Sequence, residues 1–136
     1  SSFEALPGDR SAIKNSSVAL LITVGKLRIF SAGDLEPQAQ EALLALRKID
    51  PIDIYKVSHH GSSFQFLPLL SALHPKIALI SVGAENSYGH PAPSTVNALE
   101  VLGAKTLRTD QDGAISVDGA LKIRTKRNDW WNISWG

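Results

Sequence analysis

Short blocks of apolar residues, several of them rich in β-branched side chains, alternate with turn residues along most of the chain, a pattern typical of β-strands. The block at 18–24 is followed by Gly25-Lys26, which predicts a tight reversal into an antiparallel strand at 27–30. The block at 77–82 is apolar on both faces, so it is expected at the centre of a sheet with both faces covered. Further strands are predicted at 52–57, 114–117 and 121–124, with the last two joined across Asp118-Gly119.

Three helices are predicted between these strands. The first begins near Pro37 and has four apolar residues on one face. The second covers 67–73 and is expected to be capped by Ser62 or Ser63. The third covers 94–102 and is followed by a glycine that can close it. The apolar face of the first helix consists of Ala39, Ala42, Leu43 and Leu46.

Candidate chemistry is concentrated where three of the strands end. Asp34 follows the strand at 27–30, His59 and His60 follow the strand at 52–57, and His90 lies in the loop after 77–82. Alternation along a strand is expected to point the two adjacent imidazoles in opposite directions. If the strands are neighbours, a carboxylate and two or three imidazoles gather along one edge, and such a mixture of ligands suits zinc, manganese or iron. The alternative is a turn or capping role for Asp34 and an ordinary loop position for His90.

The composition is that of one domain of 136 residues, 43% hydrophobic and 20% charged. The net charge of +1 provides no global attraction for nucleic acid, although Lys122, Arg124, Lys126 and Arg127 make one stretch locally basic. Because there is no cysteine, any metal must be bound by His, Asp or Glu. The longest apolar runs fall short of the roughly 20 residues of a membrane helix. The absence of methionine and of a signal-like start predicts that the chain is part of a longer protein.

Six motifs occur in the order in which one family has them: NSSV at 15–18, SAGDLE at 31–36, KVSHHGS at 56–62, SVG at 81–83, NSYGHP at 86–91 and RTDQDGA at 108–114. On these motifs the chain resembles the metallo-β-lactamase fold, in the version appended to ComEC-type competence proteins, which are membrane channels for DNA uptake. The resemblance covers residues 15–117. The HHGS element together with GHP is fairly specific to this branch, whereas Ser58 stands where the family usually has proline.

The resemblance implies an α/β fold: half of a four-layer αββα sandwich, with a mixed sheet, helices packed on one side and a two-metal site at one sheet edge. The sequence lacks the histidine-rich cluster that the first half of the family carries. By analogy, Asp34 and His60 are expected to bind a divalent metal, zinc or manganese, which would be incompletely held or absent in this fragment. His59 and His90 are expected to be catalytic. The expected substrate-binding residues are Ser62, Asn86, Tyr88, Lys122 and Arg124.

The resemblance further implies that the chain is part of a metal-dependent hydrolase domain, a nuclease or phosphodiesterase acting on DNA during transformation. The alternatives are a non-catalytic DNA-binding or regulatory module of the same fold, or another small-phosphodiester hydrolase such as a choline-phosphate esterase. The expected partners are single- or double-stranded DNA, the missing N-terminal half-domain and membrane channel of the parent protein, and a second copy of the fragment. The parent is expected in the plasma membrane, with this domain soluble on the extracellular face.

Three regions are expected along the chain. Residues 1–14 are an N-terminal loop region, 15–127 are the half-domain, and 128–136 are a tryptophan-rich tail. The tail is too aromatic to remain fully solvated, so it is expected either to fold back onto the domain or to meet a partner. The isolated fragment is expected to be inactive.

Overall fold

The structure is a computed structural model that describes residues 2–6, 18–46, 48–126 and 128–133, the first and last of these ranges as backbone. Within these ranges the strands form two sheets. The larger sheet has six strands, which follow one another in chain order across the sheet: β1 (Ser2–Leu6), β2 (Ala19–Val24), β3 (Leu27–Ser31), β4 (Ile54–Lys56), β5 (Ile77–Ile80) and β6 (Lys105–Arg108). The smaller sheet has three: β7 (Ile115–Val117), β8 (Ile123–Thr125) and β9 (Asn128–Ile133).

The larger sheet is mixed. Strands β1, β2 and β3 pair antiparallel, whereas β3, β4, β5 and β6 pair parallel. The predicted reversal between β2 and β3 is confirmed, because Val24 pairs with Leu27 and only two residues lie between them. Gly25 has φ +59°, which glycine adopts at no steric cost.

Helices connect the parallel strands, since parallel neighbours need a crossover connection. They are α1 (Pro37–Leu46), α2 (Leu67–Leu73) and α3 (Pro93–Val101), and a single helical turn, α4 (Thr109–Asp112), follows β6. These crossovers bring the carboxyl ends of β3, β4, β5 and β6 to the same edge of the sheet. In the part of the chain that the structure describes, no helix is long and apolar enough to cross a membrane.

One face of the larger sheet packs against α1, α2 and α3. Phe30, Tyr55 and Ile80 are buried on this face, and the rings of Phe30 and Tyr55 lie 5.8 Å apart. Leu43 of α1 and Leu99 of α3 belong to the same core. Full burial of one such leucine stabilises the fold by about 1.5–3 kcal/mol. The core therefore anchors each strand directly before the loop that leaves its carboxyl end.

The smaller sheet covers the opposite face. Ile54, Ile77 and Leu107 alternate with the residues that face the helices, and they pack against Ile123 of β8. The fold is therefore a mixed α/β fold with helices on one side, as predicted. Strand β5 lies between β4 and β6 and is buried on both faces, which confirms the central position that its apolar sequence predicts.

Four local expectations were wrong. Residues 2–6 form β1, rather than loop. The residue before α2 is Phe66, and no side chain caps the helix there, so neither Ser62 nor Ser63 has that role. Leu46, placed on the apolar face of α1, is 70% exposed.

The fourth concerns the hairpin between β7 and β8, which was expected to turn across Asp118-Gly119. Val117 pairs with Ile123, so five residues connect the strands. The Asp118 carboxylate accepts hydrogen bonds from the N–H groups of Ala120 and Lys122, and these bonds stabilise the longer loop. Beyond β8, the backbone of β9 pairs antiparallel with it, so this part of the tail folds back onto the domain. Trp135 lies outside the described residues.

Candidate functional site

The loops that leave β3, β4 and β5 meet at the carboxyl edge of the larger sheet. Asp34 follows β3, His59 and His60 follow β4, and His90 lies in the loop after β5. The structure brings these four side chains together. His60 Nε2 lies 3.8 Å from Asp34 Oδ1, and the ring centroids of His59 and His90 are 5.7 Å apart. In open α/β sheets, ligands bind at this edge.

The two adjacent histidines lie in a tight helical turn, Ser58–Gly61, directly after β4. His59 has φ +49° and His60 has φ +53°, both in the left-handed region. Each such residue costs about 1–3 kcal/mol, which the surrounding structure must offset. The expectation that the rings point in opposite directions was wrong, because strand alternation does not apply in this turn. Their centroids are only 6.4 Å apart, with an edge-to-face arrangement of 64°.

Hydrogen bonds hold this turn against the loop that carries Asp34. His59 N–H donates to the carbonyl of Gly33 at 3.0 Å, and the Ser58 hydroxyl donates to the carbonyl of Leu35. Gln65 Nε2 donates to the carbonyls of Ser58 and Ser62, both at 3.1 Å. Ser58 therefore joins the histidine turn to the aspartate loop.

Gln40 supports the same loop from below, and sequence reasoning missed it. It is fully buried in α1, where its Nε2 donates to the carbonyl of Leu35 at 2.8 Å and its Oε1 accepts from the N–H of Phe66 at 2.9 Å. A polar residue between Ala39 and Leu43 on the buried face was the available signal, because a buried amide needs hydrogen-bond partners.

His60 is oriented by the backbone of β5's outgoing loop. Its Nδ1 lies 2.7 Å from the carbonyl oxygen of Ser81. Because a carbonyl only accepts hydrogen bonds, Nδ1 carries the proton and Nε2 keeps its lone pair in the neutral ring. That lone pair faces Asp34 across 3.8 Å, which is too long for a direct hydrogen bond. Metal-binding histidines are commonly oriented in this way, by a carbonyl that accepts from the other ring nitrogen.

His59 and His90 form the second part of the site. His59 Nδ1 is buried, and among the described residues it has no hydrogen-bond partner. The pKa of His90 is lowered by burial and, to a smaller degree, by the charges of His59 and His60, so the neutral imidazole is favoured. Asn86 fixes the loop around it: Asn86 Nδ2 donates to the carbonyls of Gly83 and His90, and Oδ1 accepts from the N–H of His90.

A small pocket of about 190 Å³ opens beside these histidines. Tyr88, which is 82% exposed, forms one side of it, and its ring is nearly parallel to that of His90. Both N–H groups of the Asn86 amide are bonded to the loop, so this residue acts here by positioning its neighbours. The pocket is lined by His60, Val82, Gly83, Asn86, Tyr88 and His90.

The other expected substrate-binding residues lie elsewhere. Ser62 is 1% exposed, so its side chain lies beneath the surface of the site. Lys122 and Arg124 belong to the β7–β8 hairpin, where they line a separate pocket of about 160 Å³ with Ser116, Val117 and Asp118.

The donor set fits one part of a metal site. Asp34 and His60 supply an oxygen and an imidazole nitrogen, which suit zinc or manganese. Among the residues that the structure describes, no three His, Asp or Glu side chains converge as a metal-binding group. Asp110 lies at the same edge, but its carboxylate is bound to Arg108 at 2.7 Å, and this contact lowers the pKa of Asp110. A complete site would need further ligands from outside the described residues.

Backbone groups were beyond sequence reasoning. The Ser81 carbonyl orients His60, yet every residue has a carbonyl, so no signal in the sequence identifies this one. Thr109 also supports the site through a backbone contact. Its hydroxyl accepts from the N–H of Val82 at 2.8 Å and donates to the carbonyl of Val82 at 2.7 Å, so the ends of β5 and β6 are joined beside the site.

Together, the fold and the site define a mixed α/β domain in which the ionisable side chains of the candidate site lie at the carboxyl ends of parallel strands. No protein-family model matches the chain. It is 33% identical over 108 residues to ComE operon protein 3 of Bacillus subtilis, a match that covers 79% of this chain and 14% of the relative. It is 31% identical to Competence protein ComA of Neisseria gonorrhoeae, covering 98% of this chain and 20% of that protein.

A third relative is Recombination protein 2 of Haemophilus influenzae, 29% identical over 88% of this chain and 16% of its own length. These similarities confirm the resemblance that the motifs indicate, and the chain is related to one domain of the ComEC-type competence proteins. It spans one fifth or less of the length of these relatives.

Proposed function

We propose that this chain provides one half of a metal-dependent phosphodiesterase site in a competence protein that takes up DNA. The observation that carries the proposal is the orientation of His60, whose Nδ1 donates to Ser81 while Nε2 faces Asp34 at 3.8 Å. One relative is named Competence protein ComA, and from a role in competence we infer DNA as the substrate.

The roles follow from the chemistry of each side chain. Asp34 and His60 would hold a divalent metal together with ligands from outside the described residues. Such an ion, when bound, lowers the pKa of water and stabilises negative charge at phosphate. His90 lies beside His59 and is favoured as the neutral imidazole, so its ring N–H can donate a hydrogen bond to an oxygen of the substrate. The ring of His59 contacts the rings of both His60 and His90.

The test is DNA cleavage by the longer protein that contains this domain. His60→Ala and Asp34→Ala should each lower metal-dependent cleavage by at least about a hundred-fold, since loss of one ligand disturbs the whole centre. His74→Ala is the matched control, because His74 is also in the left-handed region, at φ +37°, but lies at the end of α2. Its substitution introduces comparable backbone strain away from the site. Equal damage from His74→Ala and His60→Ala, with both variants folded, would refute this assignment.

A second candidate is a DNA-binding module that does not cleave. The observation that favours it is the donor count, because only Asp34 and His60 converge within the described residues. Under this alternative the longer protein retains DNA in the presence of zinc or manganese and leaves it intact. Measuring binding and cleavage in the same samples separates the two functions.

A further inference from the structure

Tyr88 presents an aromatic ring to solvent at the rim of the site. The side chain is 82% exposed, although burying an aromatic ring of this size is normally favourable. Its plane lies 29° from that of His90, with the ring centroids 6.2 Å apart. This distance is at the long end of the roughly 4.5–7 Å range for aromatic pairs, so His90 orients the ring without covering it. An exposed, oriented ring beside a pocket is a feature of ligand-binding surfaces.

The loop that carries Tyr88 is held in place before any ligand binds. Asn86 donates to the carbonyl of Gly83 at 3.0 Å and to that of His90 at 2.9 Å, and it accepts from the N–H of His90 at 3.1 Å. One side chain therefore ties the start of the loop to its end, with Tyr88 between the two. A fixed platform loses less conformational entropy on binding than a mobile one.

The pocket beside Tyr88 selects for a small, flat group. Its volume is about 190 Å³, below the roughly 300–1,000 Å³ of pockets that enclose drug-sized ligands. Val82 and Gly83 supply apolar lining, and the imidazole of His90 adds ring nitrogens. A planar heterocycle with polar edges matches this combination of flat apolar faces and peripheral hydrogen-bonding groups.

We propose that this pocket binds one unpaired nucleobase, which stacks on Tyr88 while the adjoining phosphodiester lies at Asp34 and His60. The identity of the ligand as nucleic acid rests on the proposed function. His60 belongs both to the pocket and to the metal-ligand pair, so the base and the phosphate would be neighbours. In a duplex both faces of an internal base are covered by stacking, so the site would favour single strands. Base stacking on an aromatic side chain is sequence-tolerant, which suits uptake of DNA of any sequence.

The experiment measures binding by the intact chain in the presence of EDTA, so that cleavage does not contribute. The probes are a fluorescent oligothymidylate and an oligonucleotide of equal length and charge in which every base is replaced by an abasic unit. Wild-type protein should bind the oligothymidylate about 5- to 150-fold more tightly than the abasic strand. Both strands offer the same phosphates, so the ratio reports contact with the bases alone.

Three variants locate the effect. Tyr88→Ala should reduce the ratio towards one, whereas Tyr88→Phe should preserve it because the ring remains. Phe64→Ala is the matched control, since Phe64 is another exposed aromatic side chain, at 67%, that does not line the pocket. Its ratio should equal that of the wild type.

Equal wild-type affinity for the two strands, or no binding of either, would overturn the subsite. So would a normal ratio in Tyr88→Ala; a loss of stability would weaken binding of both strands alike and leave the ratio unchanged. The proposed function can fail independently of the subsite. Base-dependent binding through Tyr88 without cleavage by the longer protein would support the subsite and refute the phosphodiesterase. Cleavage without base-dependent binding would support the phosphodiesterase and refute the subsite.

Discussion

Replacing Gly61 with alanine should separate the two loops that form the site. Gly61 has φ +75°, and a Cβ atom there would lie 2.7 Å from Pro91 Cβ, 3.3 Å from Pro91 Cα and 3.3 Å from Ile80 Cγ2. The carbonyl of Gly61 also accepts from the N–H of Ala92 at 2.8 Å. The absence of a side chain therefore lets the histidine turn approach the loop that carries His90.

The expected loss of stability has two parts. An L-residue in the left-handed region costs about 1–2 kcal/mol. Forcing a methyl group against the Pro91 ring, and against Ile80 in the helix-side core, adds about 1–3 kcal/mol. Gly61→Ala should therefore lower the free energy of unfolding by about 2–5 kcal/mol, a large part of the roughly 5–15 kcal/mol of a typical domain.

Substitutions at two other glycines distinguish the backbone strain from the steric contact. Gly103 has φ +85°, but its Cβ would meet nothing within 4 Å, so Gly103→Ala should show the backbone strain alone, about 1–2 kcal/mol. Gly119 has neither feature, so Gly119→Ala should change stability by less than about 0.5 kcal/mol. Urea unfolding of the three variants should shift the midpoints with similar m-values. If Gly61→Ala is no less stable than Gly103→Ala, the close approach to Pro91 does not limit this position.

Three further outcomes are expected. Asp110→Asn should lower the free energy of unfolding by about 1.5–3 kcal/mol at pH 7, because it weakens the bond to Arg108. Since the pKa of Asp110 is lowered in the folded protein, the whole difference in stability between wild type and variant should be present above the unfolded pKa near 4, and it should vanish as the pH falls through the folded pKa. Unfolding at several pH values checks this. DNA binding should weaken when four basic residues are neutralised together: Lys122, Arg124, Lys126 and Arg127. The slope of log affinity against log salt concentration should become shallower by about 0.7–0.9 for each phosphate that the protein no longer neutralises. An unchanged slope would contradict a phosphate-binding role. Elemental analysis of the isolated chain should find less than one equivalent of metal, and the chain should not cleave DNA; two tightly held ions or robust cleavage would mean that other groups complete the site.

Local signals predicted those parts of the fold in which neighbouring residues decide the conformation. Gly25 follows a β-branched strand and turns the chain within two residues, as expected. The hairpin after Val117 has an equally strong signal, Asp118-Gly119, yet the loop is longer. The Asp118 carboxylate bonds to two later N–H groups, and Leu121 adopts φ +60°. A side chain that competes for the backbone can override a turn motif.

The cap of α2 shows how tertiary structure changes the use of a residue. Ser62 was a reasonable candidate, because serine often caps helices. In the fold it is buried, and its carbonyl accepts hydrogen bonds from Thr95 and from Gln65. The serine is thus packed between two loops, and α2 begins only after Phe66. No local pattern contains this information, since Thr95 is 33 positions away.

The candidate site was predictable to the extent that topology determines it. Once β3, β4 and β5 run parallel, the residues that follow them must meet at one edge, so Asp34, His60 and His90 could be grouped from strand positions alone. The directions of the rings could not be predicted, because the left-handed turn at His59 and His60 replaces strand alternation.

Topology also limits what this edge can bind. Each parallel strand delivers one loop to the edge, and after β6 the carboxylate of Asp110 is already bound to Arg108. Asp34 and His60 are left as the converging pair among the described residues. Because a tightly held ion needs about four ligands or more, this pair by itself is insufficient to complete a centre. In the proposed metal site, the remaining donors would come from a second surface that faces this edge, so the pocket at Tyr88 would lie next to an interface between two parts of the longer protein.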